Sequence, residues 1–296
     1  MTKPVTAVAV MMLQEEGKLS IGDKLSKYYP NYPRAADVTL AQMLHHTSGL
    51  SSYTDDEEVM GREVAWNLST DEWIARFAKM SKTQDFEPGT GWHYSNTAYY
   101  ILGGVVEKVE GKPIAAVLKD RFFAPLGLSQ TAMDDEREIV PSRATGYDAD
   151  APGKFKNARA ISMTFPGAAG AMRSTASDLA KWNAALFGGK VLKPASFQAM
   201  TTPGKLNNGQ LSSTAMPKAD GGDAPSEYGY ALGMTKVEGH ARVGHGGGIF
   251  GFNTALQEYP ADRITIAIIA NGIGPEVGVT HITKRIERIA LGLPAK

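Results

Sequence analysis

The sequence predicts an α+β protein in which an antiparallel sheet, flanked by terminal helices, stands beside a mainly helical lobe. Three observations predict it. Apolar residues recur at helical spacing from Val5 onward and, with cap residues, repeatedly through the middle of the chain; the period changes to two near the C-terminal end; and the runs there are joined by short turns, which forces antiparallel pairing. One two-lobed domain is expected over residues 1–296, its helical lobe at roughly 15–225 and its sheet lobe at roughly 226–296 together with the first helix.

Val5, Val8, Ala9, Met12 and Leu13 mark one face of the first helix, and Gly17 stops it. No N-cap residue stands ahead of that helix to satisfy its first free amides, so a segment is expected upstream of Met1. Thr39 with Gln42, and Ser69 with Glu72, form capping boxes; the second opens a helix carrying Trp73, Ile74 and Phe77. Further helices are predicted over Thr97 to Glu110 with Gly111 as stop, over Pro113 to Phe122, and over Ala176 to Phe187 ending at Gly188. Residues 205–227, rich in Gly, Asn, Ser, Pro, Lys and Asp, read as a long surface loop. Strands are expected at Ala241 to His245, through Phe252, Thr254 and Leu256, and from Ile264 to Ala270 after the Pro260-Ala261-Asp262 turn. A closing helix over Val277 to Leu291 places Val279, Ile282, Ile286 and Ile289 on one side.

Composition removes several classes of function. Of 296 residues 43% are hydrophobic and 21% charged, and Lys plus Arg equals Asp plus Glu at 31 each, so no excess charge points to nucleic acid or an anionic membrane. Without cysteine there is no disulfide, thiolate metal site or cysteine nucleophile, a state that suits the cytosol and the periplasm equally. No apolar run reaches the roughly 18 residues of a transmembrane segment, and residues 1–13 lack the cleavage site of a signal peptide. Compartment and oligomeric state stay open.

Three separated segments carry the chemistry. Met1-Thr2-Lys3-Pro4 opens a helix with a lysine; Phe86-Glu87-Pro88-Gly89 precedes Tyr94-Ser95-Asn96; and His245-Gly246-Gly247-Gly248 follows an apolar strand. Together, in this order, they resemble the Ser-x-x-Lys, Tyr-x-Asn and His-x-Gly elements of the serine β-lactamase and penicillin-binding-protein family, especially its class C, esterase and D-aminopeptidase branches. Leu44-His45-His46-Thr47-Ser48-Gly49-Leu50, Gly17-Lys18-Leu19-Ser20 and Ala169-Gly170-Ala171-Met172-Arg173-Ser174-Thr175 extend the resemblance over nearly the whole chain.

The resemblance implies a β-lactamase/transpeptidase-like fold and acyl transfer through a serine ester, with no cofactor and no metal. Lys3 would be the base, because a hydroxyl three positions ahead on a helix shares its face and needs a nearby amine to become nucleophilic. Tyr94 would shuttle the proton, and Asn96 would hold Lys3 or a substrate amide. His245 and Gly246 to Gly248 would bind substrate, with the Gly248 amide the expected oxyanion donor. Counting three back from Lys3 lands ahead of Met1, so the nucleophile and the family's preceding helix and two strands are expected to be missing. The 296-residue polypeptide should then be inactive or nearly so, and the run Ile264 to Ile269 should form an uncovered edge.

Simpler readings stand beside these. Lys3 alone is a frayed terminal lysine; Trp92 and Tyr94 are core aromatics; Ser48 bonds locally in its turn; and His45, His46 and His93, lacking metal-ligand spacing, are structural rather than the ligands of a metal-dependent hydrolase. His245, mostly neutral at pH 7 where many β-lactam-binding relatives carry lysine, weakens the case for a β-lactam and puts an ester, amide or D-amino-acid peptide on at least equal footing as the small-molecule or peptide substrate; the sequence does not separate these. A non-catalytic peptidoglycan- or peptide-binding homologue of the same fold is the competing expectation.

Overall fold

A computed structural model describes residues 1–151, 153–217, 225–274 and 279–294. Its helices are α1 (Thr2–Glu15), α2 (Leu40–Leu44), α3 (Glu57–Arg62), α4 (Thr70–Phe77), α5 (Asn96–Glu110), α6 (Ile114–Leu118), α7 (Gly167–Gly170), α8 (Ala176–Phe187), α9 (Pro194–Met200) and α10 (Val279–Ala290). Two short strands, β1 (Ala132–Met133) and β4 (Met172–Arg173), pair with each other. β2 (Tyr147–Ala151) and β3 (Lys154–Asn157) form a hairpin extended by β10 (Gly272–Ile273). The main sheet is antiparallel and five-stranded, in the order β5 (Glu227–Tyr228), β6 (Gly233–Val237), β7 (His240–Ile249), β8 (Phe252–Tyr259) and β9 (Ile264–Ala270).

Most elements follow from the sequence signals. Both capping boxes form, Thr39 with Gln42 and Ser69 with Glu72, and Gly111 ends α5 in the left-handed region at φ 68°. Helix α1 carries no polar face: Lys3, Thr6, Val8, Val10 and Met11 are as buried as Val5, which marks it as a helix inside the molecule. It packs on α5 and α7, and Thr6 Oγ1 donates to the Ala168 carbonyl at 2.8 Å. Behind α5 an aromatic core stacks Tyr53 on Phe77 at 4.6 Å between ring centroids, with Trp73 and Phe165 edge to face at 5.1 Å.

The sheet departs from expectation in two places. β5 and β6 lie where the sequence shows no alternation. β6 joins the sheet by pairing with β7, from Gly233 opposite Gly244 to Val237 opposite His240, and β5 pairs with β6; on the other side of β7 an added Cβ at Gly244 would collide with Gln257 and the Leu256 carbonyl of β8. The long loop reads correctly only in part, since Lys205 bridges to Leu211, a short 3₁₀ turn covers Ser212–Ala215, and 218–224 lie outside the described residues.

Helix α10 covers β8 and β9 as expected, yet it is turned about its axis. Val279 is buried together with Thr283 and Glu287, whereas Ile282, Ile286 and Ile289 face outward. Glu287 accepts from Arg242 of β7 at 2.9 Å, and both side chains are at most a tenth exposed. A buried guanidinium left unpaired costs more than three half-exposed isoleucines, so the ion pair fixes the rotation. β9 ends the sheet, and among the described residues no strand pairs with its outer edge.

Candidate active site

The first turn of α1 points one basic group inward. Lys3 is 4% exposed, and its Nζ donates to Asn96 Oδ1 at 2.6 Å and to the Ala169 carbonyl at 2.9 Å. The amine lies 4.7 Å from the centre of the Tyr94 ring. Burial lowers its pKa from 10.5 to about 7, so near neutral pH about half of it is the free base. Thr2 fastens the same turn by accepting from the Met172 amide at 3.0 Å. Besides these two acceptors, the amine faces the Tyr94 ring.

Tyr94, Ser95 and Asn96 sit at the start of α5, and a local rule places each. Ser95 is the N-cap, its Oγ accepting from Ala98 N at 3.1 Å, so Tyr94 projects from the extended residue ahead of the helix and Asn96 occupies its first turn. The Asn96 amide is oriented by Ser52 and Thr54, to which Nδ2 donates at 3.3 and 3.0 Å, turning Oδ1 toward Lys3. Burial raises the Tyr94 phenol above its usual range, so it is a proton donor at neutral pH.

His245 reaches the cluster from β7. Its Nε2 lies 3.4 Å from Tyr94 Oη and 3.1 Å from Tyr228 Oη, while Nδ1 contacts the Gly246 carbonyl. Burial first, then nearby positive charge, keeps the imidazole pKa well below 6.5, so it is uncharged. The three glycines that follow differ. A side chain at Gly247 would run into Thr254 and come within 3.0 Å of the Met1 backbone nitrogen; Gly248 has open space, and Gly246 has only the Thr254 carbonyl at 3.7 Å. Glycine is therefore required by packing at 247, and at 246 and 248 it leaves an exposed stretch of bare strand beside the start of α1.

All the sequence-predicted residues thus converge: Lys3, Tyr94 and Asn96 through direct contacts, His245 through Tyr94, and Gly246 to Gly248 along the same strand. A cleft of about 320 Å³, lined by Trp92, Tyr228, Thr235, Arg242 and Gln257, is also lined by Tyr94, His245 and Gly246 of this set. A hollow of about 360 Å³ around His45, Gln198 and Tyr230 shares no lining residue with it. Tyr228, Ser52, Thr54 and the Ala169 carbonyl belong to the constellation but carried no individual sequence signal; only the run beginning at Ala169 stood out. His93 pairs with Asp85, and Ser48 Oγ accepts from Leu50 N in its own turn. Among the described residues no three His, Asp or Glu side chains are grouped to hold a metal ion, and no helix is long and apolar enough to cross a membrane.

A family model described as "Beta-lactamase" matches residues 1–290 of the chain. The chain belongs to the beta-lactamase family. Among family members it is similar to penicillin-binding protein 4* of Bacillus subtilis (strain 168), 27% identical over 99% of this chain and 64% of that protein. Among solved structures it resembles a D-stereospecific amidohydrolase from Streptomyces sp., with a TM-score of 0.77, 28% identity, and coverage of 92% of this chain and 80% of that one. It also resembles D-amino acid amidase from Ochrobactrum anthropi SV3 complexed with D-phenylalanine, with a TM-score of 0.79, 25% identity, and coverage of 99% and 90%. The chain spans about half to two thirds of the length of the first curated relatives it matches.

Proposed function

We propose that this beta-lactamase-family protein works as a serine hydrolase by acyl transfer, with Lys3 as the base for a serine hydroxyl three positions ahead of it. The observation that carries the reading is the Lys3 amine. It is buried, held on two sides by Asn96 and Ala169, set against the Tyr94 ring, and brought to a pKa of about 7. A lysine in that state accepts a proton at neutral pH, whereas an ordinary one does not. Tyr94 passes the proton to the leaving group, Asn96 holds the amine, and the strand from His245 to Gly248 lies along the substrate with an amide for the developing oxyanion. Lys3 takes the serine proton, which passes by way of Tyr94 to the leaving oxygen or nitrogen as the acyl bond to it breaks and the serine ester forms; water then attacks that ester, one of its protons passing through Lys3 to the departing serine oxygen, which releases the acid and restores both the serine hydroxyl and the neutral amine.

An uncharged His245 beside two phenols suits an ester, an amide or a D-amino-acid peptide better than a substrate gripped by a permanent cation. The amidohydrolase and amidase among its structural relatives support the same choice. The second reading is a non-catalytic peptide-binding homologue of the same fold.

One comparison separates the two. Residues 1–296 and the same chain carrying a serine three positions ahead of Lys3 are assayed with p-nitrophenyl esters and D-amino-acid amides and labelled with a fluorophosphonate. Labelling and turnover in the serine-bearing chain alone are expected. Ligand-induced thermal stabilisation of both chains, with labelling of neither, would establish the binding reading instead.

A further inference from the structure

His46 belongs to the run Leu44 to Leu50, and the proposed chemistry does not use it. Its ring is completely buried, and its backbone has φ 61°, a left-handed conformation that a histidine adopts only when its surroundings hold it there. Two bonds hold it, and they bracket Tyr94. The His46 carbonyl accepts from the His93 amide at 3.0 Å, and the His46 Nδ1 accepts from the Ser95 amide at 3.0 Å. The ring lies against the phenol between those anchors, with centroids 4.4 Å apart. Tyr99 and Tyr228 close around the same imidazole at 5.0 and 5.2 Å.

Because Nδ1 accepts a backbone N–H, the neutral ring carries its proton on Nε2. That nitrogen is buried and has no partner among the described residues. A hydrocarbon side chain would avoid the orphaned donor, but it would strand the Ser95 amide and resist the left-handed backbone. The rest of the turn is fastened to the same segment, through Gly89 N to the Thr47 carbonyl at 2.7 Å and Asp85 N to the Gly49 carbonyl at 2.7 Å. Within that turn it is the His46 ring that stacks on the phenol.

We infer that His46 is a positioning residue: one histidine in a left-handed turn, through its carbonyl and its Nδ1, fixes the residues on both sides of Tyr94 and thereby sets where the phenol stands between Lys3 and His245. The effect on rate rests on the hydrolase reading above; the effect on geometry does not. Asparagine is the conservative replacement, since its amide oxygen lies as many bonds from Cα as Nδ1 and it tolerates the left-handed region. Glycine frees the backbone and removes the acceptor.

The test uses His46→Gly, His46→Asn, Tyr94→Phe and the His46→Gly/Tyr94→Phe double variant. Side-chain NMR of residues 1–296 reports geometry: the Tyr94 and His245 ring signals are expected to shift in His46→Gly and to return toward their original positions in His46→Asn. Ester turnover by the serine-bearing chain reports rate. Tyr94→Phe is expected to cost roughly 100-fold in kcat, and His46→Gly about tenfold by the loss of aligned donor geometry. The double variant should lose no more than Tyr94→Phe alone, as coupling through one residue requires. Additive losses in the cycle, or ring signals unmoved in His46→Gly, overturn the inference. If His46→Gly does not fold, His46→Asn decides: a loss as large as that of Tyr94→Phe overturns it. Absent turnover in every chain, with the ring shifts and their rescue intact, would end the hydrolase reading and leave the positioning role standing.

Discussion

Two aromatic clusters lie against the N-terminal half of helix α5, one meeting it at Tyr100 and the other at Tyr99. Around Trp73, Phe77, Tyr53 and Phe165 the rings stack, and the polar groups they carry find partners: Trp73 Nε1 donates to Thr164 Oγ1 at 3.2 Å, and Tyr100 Oη to the Thr164 carbonyl at 2.8 Å. Around Tyr94, His46, Tyr99 and Tyr228 they do not all do so. His46 Nε2 and Trp92 Nε1 are buried without partners among the described residues, and an amine is held there at a pKa of about 7. Packing alone removes such groups, since each orphaned donor costs about 1–3 kcal/mol. Orphaned polar atoms also occur away from this cluster, at Tyr32 Oη and Glu63 Oε2, so the difference teaches that the buried amine, rather than the rings or the orphans, sets the site apart from the core.

Breaking each cluster in turn should give opposite signatures. Lys3→Met is expected to lower turnover of the serine-bearing chain by roughly 10²–10⁴-fold, the usual worth of a general base, while urea midpoints at pH 7 hold or rise because a costly buried amine is gone. Trp73→Ala should do the reverse: a loss of about 3–5 kcal/mol in unfolding free energy, read from the same urea curves, with kcat of the folded fraction unchanged. Trp73→Ala lowering kcat without lowering stability would dissolve the distinction.

The pH dependence sharpens it. Lys3 has a folded pKa of about 7 and an unfolded value of 10.5, so between those values the unfolded chain binds more protons and stability rises with pH. The slope approaches about 1.4 kcal/mol per pH unit at most; urea unfolding from pH 7 to 10 should show it in the parent and not in Lys3→Met. The smallest effect belongs to the ordinary cluster's periphery. Ser69→Ala removes the cap of α4, where Ser69 Oγ meets the Glu72 amide at 3.4 Å, and should cost about 1 kcal/mol in thermal unfolding.

Much of this was legible in sequence wherever the deciding interaction is local. Ser95 caps α5, so the spacing of Tyr94, Ser95 and Asn96 alone places one ahead of the helix and one in its first turn. Alternation at Phe252, Thr254 and Leu256 found β8, and the apolar run found β9. Legibility failed where a distant partner decides. The outward turn of Ile282, Ile286 and Ile289 follows from an ion pair between Arg242 and Glu287, forty-five positions apart. The β2–β3 hairpin is largely solvent-exposed and leaves no burial pattern to read, and Tyr228 enters the cleft from a strand of two residues. His46 was read as structural, because nothing in a sequence reports that a ring nitrogen accepts from the Ser95 amide.

The account stands on the protonation state of one amine, and that can be observed without any reaction. In the intact chain labelled with ¹³C at the lysine ε-carbons, one resonance, assigned by its absence in Lys3→Met, is expected to titrate near pH 7 and to shift when Tyr94→Phe alters its neighbour. A Lys3 resonance that titrates near 10.5 with the surface lysines would contradict the claim that this amine is a buried base.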